Sequence, residues 1–202
     1  LGLALGQDTP GPLAVTFYES EERLQRRYTN FASNVCVLRS LRVSVFFEID
    51  ATRLRETLSA AGASYARYHT IRFNFPQCGD NFPGTPAWHA DHVELLGKFF
   101  ASSADLLAEL SPDCDDAGGR VLLVLMDRPP YCDIPYERLA ASAGLQRSGS
   151  EIFDGGRLGL YRHRMTRFDK VVRSDEASTC HAFSLAPRPN ADCSLPVGTE
   201  TL

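Results

Sequence analysis

Residues 120–126 read Arg-Val-Leu-Leu-Val-Leu-Met, a nearly continuous apolar run that follows Gly118 and Gly119. A strand that is apolar on both faces is typical of the interior of a parallel sheet, because helices cover both sides of such a sheet. Segments of strand and helix character alternate along the rest of the chain. The sequence therefore predicts an α/β chain with a parallel sheet and right-handed crossover connections.

The spacing of apolar residues locates the other elements. Strands are predicted at 13–18, at 43–49 and in the stretch from Tyr68 that stops at Asn74. Helical patterns run through Leu24, Tyr28 and Phe31, then through Leu54 and Leu58, and over 89–110 and 134–143. Two closing strands are predicted at 157–161 and 165–172, joined by a short turn.

The strand from Tyr68 ends in the tripeptide Asn74-Phe75-Pro76. Proline fixes its own φ and restricts Phe75 to extended conformations, so this backbone is expected to be stiff. The carboxyl end of a strand is where α/β sheets bind ligands. The Asn74 amide and the loop carbonyls are therefore candidates for holding one planar nitrogen during a group transfer. A purely structural turn is the alternative.

Six segments, in order and spacing, resemble the Rossmann-like domain of the ribosomal-RNA uridine-N(3) methyltransferases that modify the large subunit. The segment 13–28 contains Val-Thr-Phe-Tyr-Glu-Ser-Glu-Glu-Arg-Leu, and 47–54 contains Asp-Ala-Thr. The segment 68–79 matches an Asn-Phe-Pro-His-x-Gly element, with Gln77 where His is usual. Similarity continues through 95–107, 121–130 and 136–145, so the resemblance covers roughly residues 1–168.

The resemblance implies a Rossmann-like fold that uses S-adenosylmethionine, with a mostly parallel sheet and helices on both faces. In that family a first strand and a glycine-rich loop precede the helix of which only residues 1–6 are present here. No Gly-x-Gly loop follows a strand in this sequence. We expect a fragment that lacks the first strand, since Leu1 lies in mid-helix by pattern.

Three residues are candidates for binding S-adenosylmethionine. Glu19 follows the first predicted strand, where a carboxylate can accept both ribose hydroxyls. Asp50 ends the next strand and can accept the adenine amino group, while Ala51 offers its backbone N–H beside the ring. The alternatives are a charge at a helix N-terminus for Glu19 and an N-cap for Asp50. Asn74 is a further candidate.

Asn74, Phe75 and Pro76 are the candidate catalytic residues. The N3–H of uracil lies between two carbonyls, and an amide carries both the acceptor and the donors that this edge needs. Phe75 can stack on the base, or it can simply pack in the core. Because the imide proton must leave, a base or a stabilised anion is required, with His89, His92 and Asp127 as possible bases.

The formal net charge is −4, which argues against a free-standing nucleic-acid binder. Basic residues nevertheless concentrate between Arg157 and Arg173. Alternation along the closing strands places Arg162, Arg164 and Arg167 on the solvent side, where they can contact RNA phosphates or form an ordinary solvated face. The partner expected from the resemblance is ribosomal RNA or a pre-ribosomal particle.

No apolar run approaches the roughly 20 residues that span a bilayer, so no membrane association is expected. The six cysteines are irregularly spaced, which indicates reduced thiols in an intracellular reducing compartment. With the family resemblance, the expected compartment is either the nucleus with its nucleolus or the mitochondrion. His89 and His92 share a helix face, but no third ligand has suitable spacing, and we expect no metal.

Residues 174–202 contain scattered proline, serine and threonine without periodicity. We therefore predict a domain over 1–173 and a C-terminal extension that orders only against a protein partner or not at all. This extension, the absent glycine loop and Gln77 also fit an alternative function. That alternative is a catalytically silent methyltransferase fold that serves as a ribosome or ribosome-assembly component.

Overall fold

The computed structural model describes residues 13–63, 67–78, 81–107, 119–154 and 177–186. Within them the helices are α1 (Glu21–Arg27), α2 (Phe31–Ser40), α3 (Leu54–Ala60), α4 (Pro86–Ala104) and α5 (Tyr136–Ser142). The strands are β1 (Ala14–Thr16), β2 (Ser44–Phe46), β3 (Thr70–Asn74), β4 (Arg120–Met126), β5 (Leu145–Ile152) and β6 (Ser178–Leu185). The predicted mixture of helices and strands is confirmed.

The strands form two sheets. β1 pairs with β2 in parallel, and a four-stranded sheet has the order β3-β4-β6-β5. β3 and β4 are parallel, whereas β6 runs antiparallel to both β4 and β5. β3, β4 and β5 therefore run in one direction and β6 runs against them, so the expected parallel sheet is confirmed only in part and the observed sheet is partly antiparallel.

β6 is the largest departure from the sequence prediction. Its eight residues lie between β4 and β5, and Ser178, Cys180, His181 and Phe183 are buried. The expectation that the chain beyond 174 lacks regular structure is wrong for this segment. Only its neighbours define it as a strand, since its many small and polar residues give little local strand signal. The closing strands predicted at 157–161 and 165–172 lie outside the described residues.

The main core lies between one face of the four-stranded sheet and the helices α3, α4 and α5. Val121, Leu123 and Leu125 alternate along β4 toward this core. Trp88, Leu96, Phe99 and Phe100 of α4 are almost completely buried against it. α4 begins at Pro86 because Thr85 caps it, its hydroxyl accepting from Trp88 N at 3.2 Å.

A second cluster joins β1 and β2 to α1 and α2. Leu24, Phe31 and Val35 are buried, and the Phe17 ring lies 5.1 Å from Phe31. The helix predicted through Tyr28 and Phe31 is two helices, because Tyr28 is extended and ends α1. β1 and β2 are parallel, so their carboxyl ends lie at the same edge.

The second cluster is connected to the main core through the chain that follows β2. Ile49, Leu54 and Leu58 are buried in the main core. A 3-10 turn at Ala51–Arg53 leads into α3, and the Leu54 N–H donates to Ser102 Oγ of α4 at 2.8 Å. This segment therefore holds the end of β2 against α4.

Candidate functional site

The Asn74-Phe75-Pro76 turn lies at the carboxyl end of β3. The Phe75 N–H donates to Val124 O at 2.9 Å, which extends the β3–β4 pairing by one bond. Phe75 has a φ of +48°, so the expectation that it is extended is wrong. A left-handed non-glycine residue costs of the order of 1–3 kcal/mol and persists where surrounding contacts hold it. The chain therefore turns sharply at Phe75, and the hydrogen bond to Val124 holds the turn in place.

The side chain of Asn74 has a partner on its own strand. Arg72 Nε donates to Asn74 Oδ1 at 2.8 Å. The Arg72 guanidinium carbon lies 5.6 Å from the centre of the Phe153 ring, and this ring meets Phe75 edge-on at 5.4 Å between centroids. Sequence reasoning missed Arg72, although the two-residue period of a strand places it on the same face as Asn74.

His92 of α4 holds the next part of the loop. Its ring is fully buried, 3.8 Å from the Trp88 ring between centroids, and its Nε2 lies 3.2 Å from Pro76 O. Its Nδ1 faces Cys78 Sγ. An Nε2–H tautomer, which donates to Pro76 and accepts from the thiol, satisfies both contacts.

Burial determines the ionisation of this pair. It lowers the pKa of His92, although the Pro76 and Trp88 carbonyls act in the opposite sense. Burial also raises the pKa of the Cys78 thiol to about 11. Both groups are therefore neutral near pH 7. Since both His92 nitrogens face protein atoms, the ring supports the loop.

Gln77 and the two remaining candidate bases, His89 and Asp127, each have different surroundings. Gln77, at the position where the family resemblance has histidine, donates from Nε2 to the Tyr131 hydroxyl at 3.0 Å. His89 is half-buried on α4. Asp127 is exposed just after β4, and its Oδ2 accepts from Thr179 Oγ1 at 2.9 Å. The hydrogen bond from Gln77 to Tyr131 connects the loop after β3 to the segment after β4.

Glu19 follows β1 and is ion-paired on both oxygens. Oε1 lies 3.1 Å from Arg23 Nε, and Oε2 lies 2.6 Å from Arg27. The carboxylate is 18% exposed, so it is accessible only over a small area. An ionised carboxylate has about four lone-pair positions that can accept hydrogen bonds. Arg23 and Arg27 occupy two of them, so about two acceptor positions remain on Glu19.

Asp50 is the N-cap of the 3-10 turn. Oδ1 accepts from the Thr52 N–H at 2.8 Å and from the Thr52 hydroxyl at 2.7 Å, and Oδ2 accepts from Arg53 Nε at 3.4 Å. Burial tends to raise the pKa of Asp50, but these hydrogen bonds outweigh it and leave the pKa below its ordinary value. About one acceptor position remains. The adjacent Ala51 is half-buried.

The parallel pairing brings Glu19 and Asp50 to the same edge of the β1–β2 sheet, while Asn74 ends β3 in the other sheet. In the described ranges no hydrogen bond or ion pair joins Glu19 or Asp50 to Asn74. Arg162, Arg164 and Arg167 lie outside those ranges. The ligand roles of all these residues, including Ala51, remain predictions.

Among the described residues, none of the helices combines the length and the apolar character that a membrane-spanning segment requires. The same part of the chain contains no group of three or more His, Cys, Asp or Glu side chains arranged to hold a metal ion.

Helices and strands in this order place the chain among the mixed α/β proteins, a class in which ligands commonly bind at the carboxyl edge of a sheet. Residues 2–165 match the BMT5-like family, described as rRNA (uridine-N3-)-methyltransferase BTM5-like. The chain belongs to this family of ribosomal-RNA uridine-N3 methyltransferases, and the resemblance inferred from the sequence is confirmed.

Three curated relatives are similar over parts of the chain. The 25S rRNA (uridine(2634)-N(3))-methyltransferase of Saccharomyces cerevisiae is 25% identical over 199 residues, covering 78% of this chain and 59% of the yeast protein. An uncharacterized protein of Arabidopsis thaliana is 25% identical over 138 residues, covering 66% and 60%.

The third relative is the ferredoxin-fold anticodon-binding domain-containing protein 1 homolog of Mus musculus. It is 42% identical over 76 residues, covering 38% of this chain and 11% of the mouse protein. The chain thus spans less than two thirds of the length of each of these relatives.

Proposed function

We propose that this chain is the S-adenosylmethionine-dependent, Rossmann-like domain of a methyltransferase that modifies N3 of a uridine in ribosomal RNA. The observation that carries the proposal is the turn after β3, where Phe75 is left-handed and the Asn74 amide is held by Arg72. Strained backbone and fixed polar groups concentrate where substrates are bound. Membership of the family supplies the reaction class.

The carboxylates after β1 and β2 fit the cofactor. S-adenosylmethionine supplies an electrophilic methyl group on a sulfonium. The two acceptor positions that remain on Glu19 match the two hydroxyls of a ribose diol, and the one on Asp50 matches an adenine amino group. Arg23 and Arg27 keep the Glu19 carboxylate in place. The Ala51 N–H lies next to this position in the chain.

The turn after β3 suits a planar base. Asn74 offers amide donors to the oxygens beside N3, and Pro76 is held through its carbonyl by His92. Phe75 packs edge-on against Phe153. We propose that the Phe75 ring also stacks on the target base. A base inside folded RNA must be unstacked, or already single-stranded, to reach this position.

Ribosomal RNA, or a particle that contains it, is the proposed partner. We propose that Arg162, Arg164 and Arg167 contact its phosphates, and that protein partners bind through the residues of the C-terminal extension that follow β6. The protein would then act in a compartment where ribosomal RNA is processed, either the nucleus with its nucleolus or the mitochondrion.

The alternative is a catalytically silent member of the family in ribosome assembly. The observation in its favour is that Glu19 is paired with two arginines while Asp50 acts as a cap, roles that both residues can fill without a ligand. Cofactor binding and turnover separate the two functions.

The product provides the direct test. Ribosomal RNA from cells that lack the protein is expected to have lost one N3-methyluridine, detected by mass spectrometry of nucleosides. Re-expression of the wild type should restore it, whereas an Asn74→Ala protein should not. An unchanged N3-methyluridine content, in cells that contain no second enzyme of this family, would contradict the proposed activity.

The carboxylates provide a test of cofactor binding. Glu19→Ala and Asp50→Ala are each expected to weaken S-adenosylmethionine binding to the full-length protein by about tenfold or more, because each removes a charged acceptor. Titration calorimetry measures this. Glu94→Ala is the matched control, since Glu94 is exposed on α4 and pairs with Lys98. Binding equal to wild type in both variants would contradict the assigned contacts.

A further inference from the structure

We propose that Arg72 is a positioning residue that turns the two amide N–H groups of Asn74 toward the substrate. This inference rests on the proposed function and deepens it. An amide oriented in this way selects a ring carbonyl oxygen or a deprotonated ring nitrogen. It disfavours a base edge that presents an exocyclic amino group.

The orientation of the Asn74 amide follows from its partner. Arg72 and Asn74 lie two residues apart, on the same face of β3, with 2.8 Å between Nε and Oδ1. A guanidinium has only donors, so the amide atom that faces it must be the oxygen. This contact assigns the oxygen and nitrogen ends of the amide, which are otherwise hard to distinguish.

Arg72 is itself held in place. Its guanidinium lies against the Phe153 ring, with 5.6 Å to the centroid. The Phe153 N–H donates to Ser178 O at 2.8 Å, which fixes this residue against β6. The same ring contacts Phe75 at the turn. Arg72 is thus a partly buried cation connected to both residues that precede Pro76.

The consequence is chemical selectivity. A cation behind the amide oxygen polarises the amide and makes its N–H groups stronger donors. Uracil N3 is flanked by two carbonyl oxygens, and removal of its proton spreads negative charge over N3 and both oxygens. Donors fixed at one of these oxygens stabilise that anion. If the base carried an exocyclic amino group at this position, its N–H groups would face the N–H groups of Asn74, and no hydrogen bond could form.

The reaction balances as a simple substitution. The N3 proton leaves to water, and the electron pair of N3 then forms the new bond to the methyl carbon. The carbon–sulfur bond breaks, and its electron pair stays on sulfur, which becomes neutral. Arg72 takes no part in bond making and acts only through Asn74.

A double-mutant cycle tests this dependence. The full-length protein methylates a ribosomal RNA fragment that contains the target uridine, and kcat is compared for wild type, Arg72→Met, Asn74→Ala and the double variant. We expect each single variant to lose tenfold or more, and the double variant to lie within about twofold of Asn74→Ala. Losses that multiply would overturn the proposal, because Arg72 would then act independently.

The pH profile supplies a readout that a purely structural role would not move. Arg72→Met weakens stabilisation of the uracil anion and so raises the pKa of the bound N3–H. The rise of kcat with pH is therefore expected at higher pH than in wild type, whereas an unshifted profile would also overturn the proposal. Arg120→Met is the control, since Arg120 starts β4 at the opposite end of the sheet from Asn74.

Folding is checked by circular dichroism. If Arg72→Met does not fold, Arg72→Leu replaces it, because leucine also lacks the charge and the donors. The same criterion then applies to the cycle. A wild type that forms no N3-methyluridine would overturn the proposed function and this inference together. Multiplying losses in an active wild type would overturn the role of Arg72 alone.

Discussion

Asn74→Ala is expected to raise the activation barrier for methyl transfer by roughly 2–4 kcal/mol and so to lower kcat. The affinity for S-adenosylmethionine should stay within a few-fold of wild type. The amide is held by Arg72 before substrate arrives, so its donors need no reorganisation during the reaction. Removing a preorganised donor mainly affects the transition state. Single-turnover methylation of ribosomal RNA, together with calorimetry for the cofactor, measures the two quantities separately.

Asn81→Ala is the matched control for this substitution. Asn81 lies in the exposed loop before α4 and donates to Asp91 Oδ2 at 2.6 Å, so its amide has a partner outside the Arg72–Asn74 pair. Its replacement should leave kcat unchanged. If Asn74 only closes the turn, Asn74→Ala would lower the melting temperature and leave the turnover of each folded molecule intact. That outcome would remove Asn74 from the catalytic residues.

Phe183→Ala is expected to destabilise the protein by about 3–5 kcal/mol, a large fraction of the stability of an ordinary domain. Phe183 is fully buried at the centre of β6, where its ring lies 5.1 Å from Phe100 between centroids. Truncation leaves a cavity between the sheet and α4. Urea unfolding followed by circular dichroism measures the loss.

Ile152→Ala is the control for Phe183. Ile152 ends β5 and is 83% exposed, so its replacement should change the free energy of unfolding by no more than about 0.5 kcal/mol. An unfolding midpoint for Phe183→Ala equal to that of wild type would mean that β6 contributes nothing to the folded core.

Elements with strong local signals could be predicted from the sequence. The Val-Leu run of β4 and the helical period of α4 are properties of contiguous residues. β4 has the predicted bounds, whereas α4 begins three residues before the predicted helix and ends at Ala104, short of the predicted 110. The break between α1 and α2 was missed, because Tyr28 continues the apolar period while its backbone is extended. β6 was missed because its neighbours in the sheet, and not its own residues, make it a strand.

The candidate site was predictable in position and not in conformation. The end of β3 follows from the strand pattern and from the proline after it. The left-handed Phe75 does not follow, because the contacts with Val124 and Phe153 override a local rule about residues before proline. The role of Arg72 also depends on a distance within the folded strand, which the apolar pattern of the sequence does not contain.

The position of β6 has a consequence for how the protein folds during synthesis. β4 and β5 are made first, yet each pairs with β6, and they do not pair with each other. Until residues 178–185 leave the ribosome, one edge of β4 and the edge of β5 that pairs with β6 both lack the partner that they have among the described strands. Such late, non-local pairing slows folding, and a nascent chain with open strand edges is prone to aggregate.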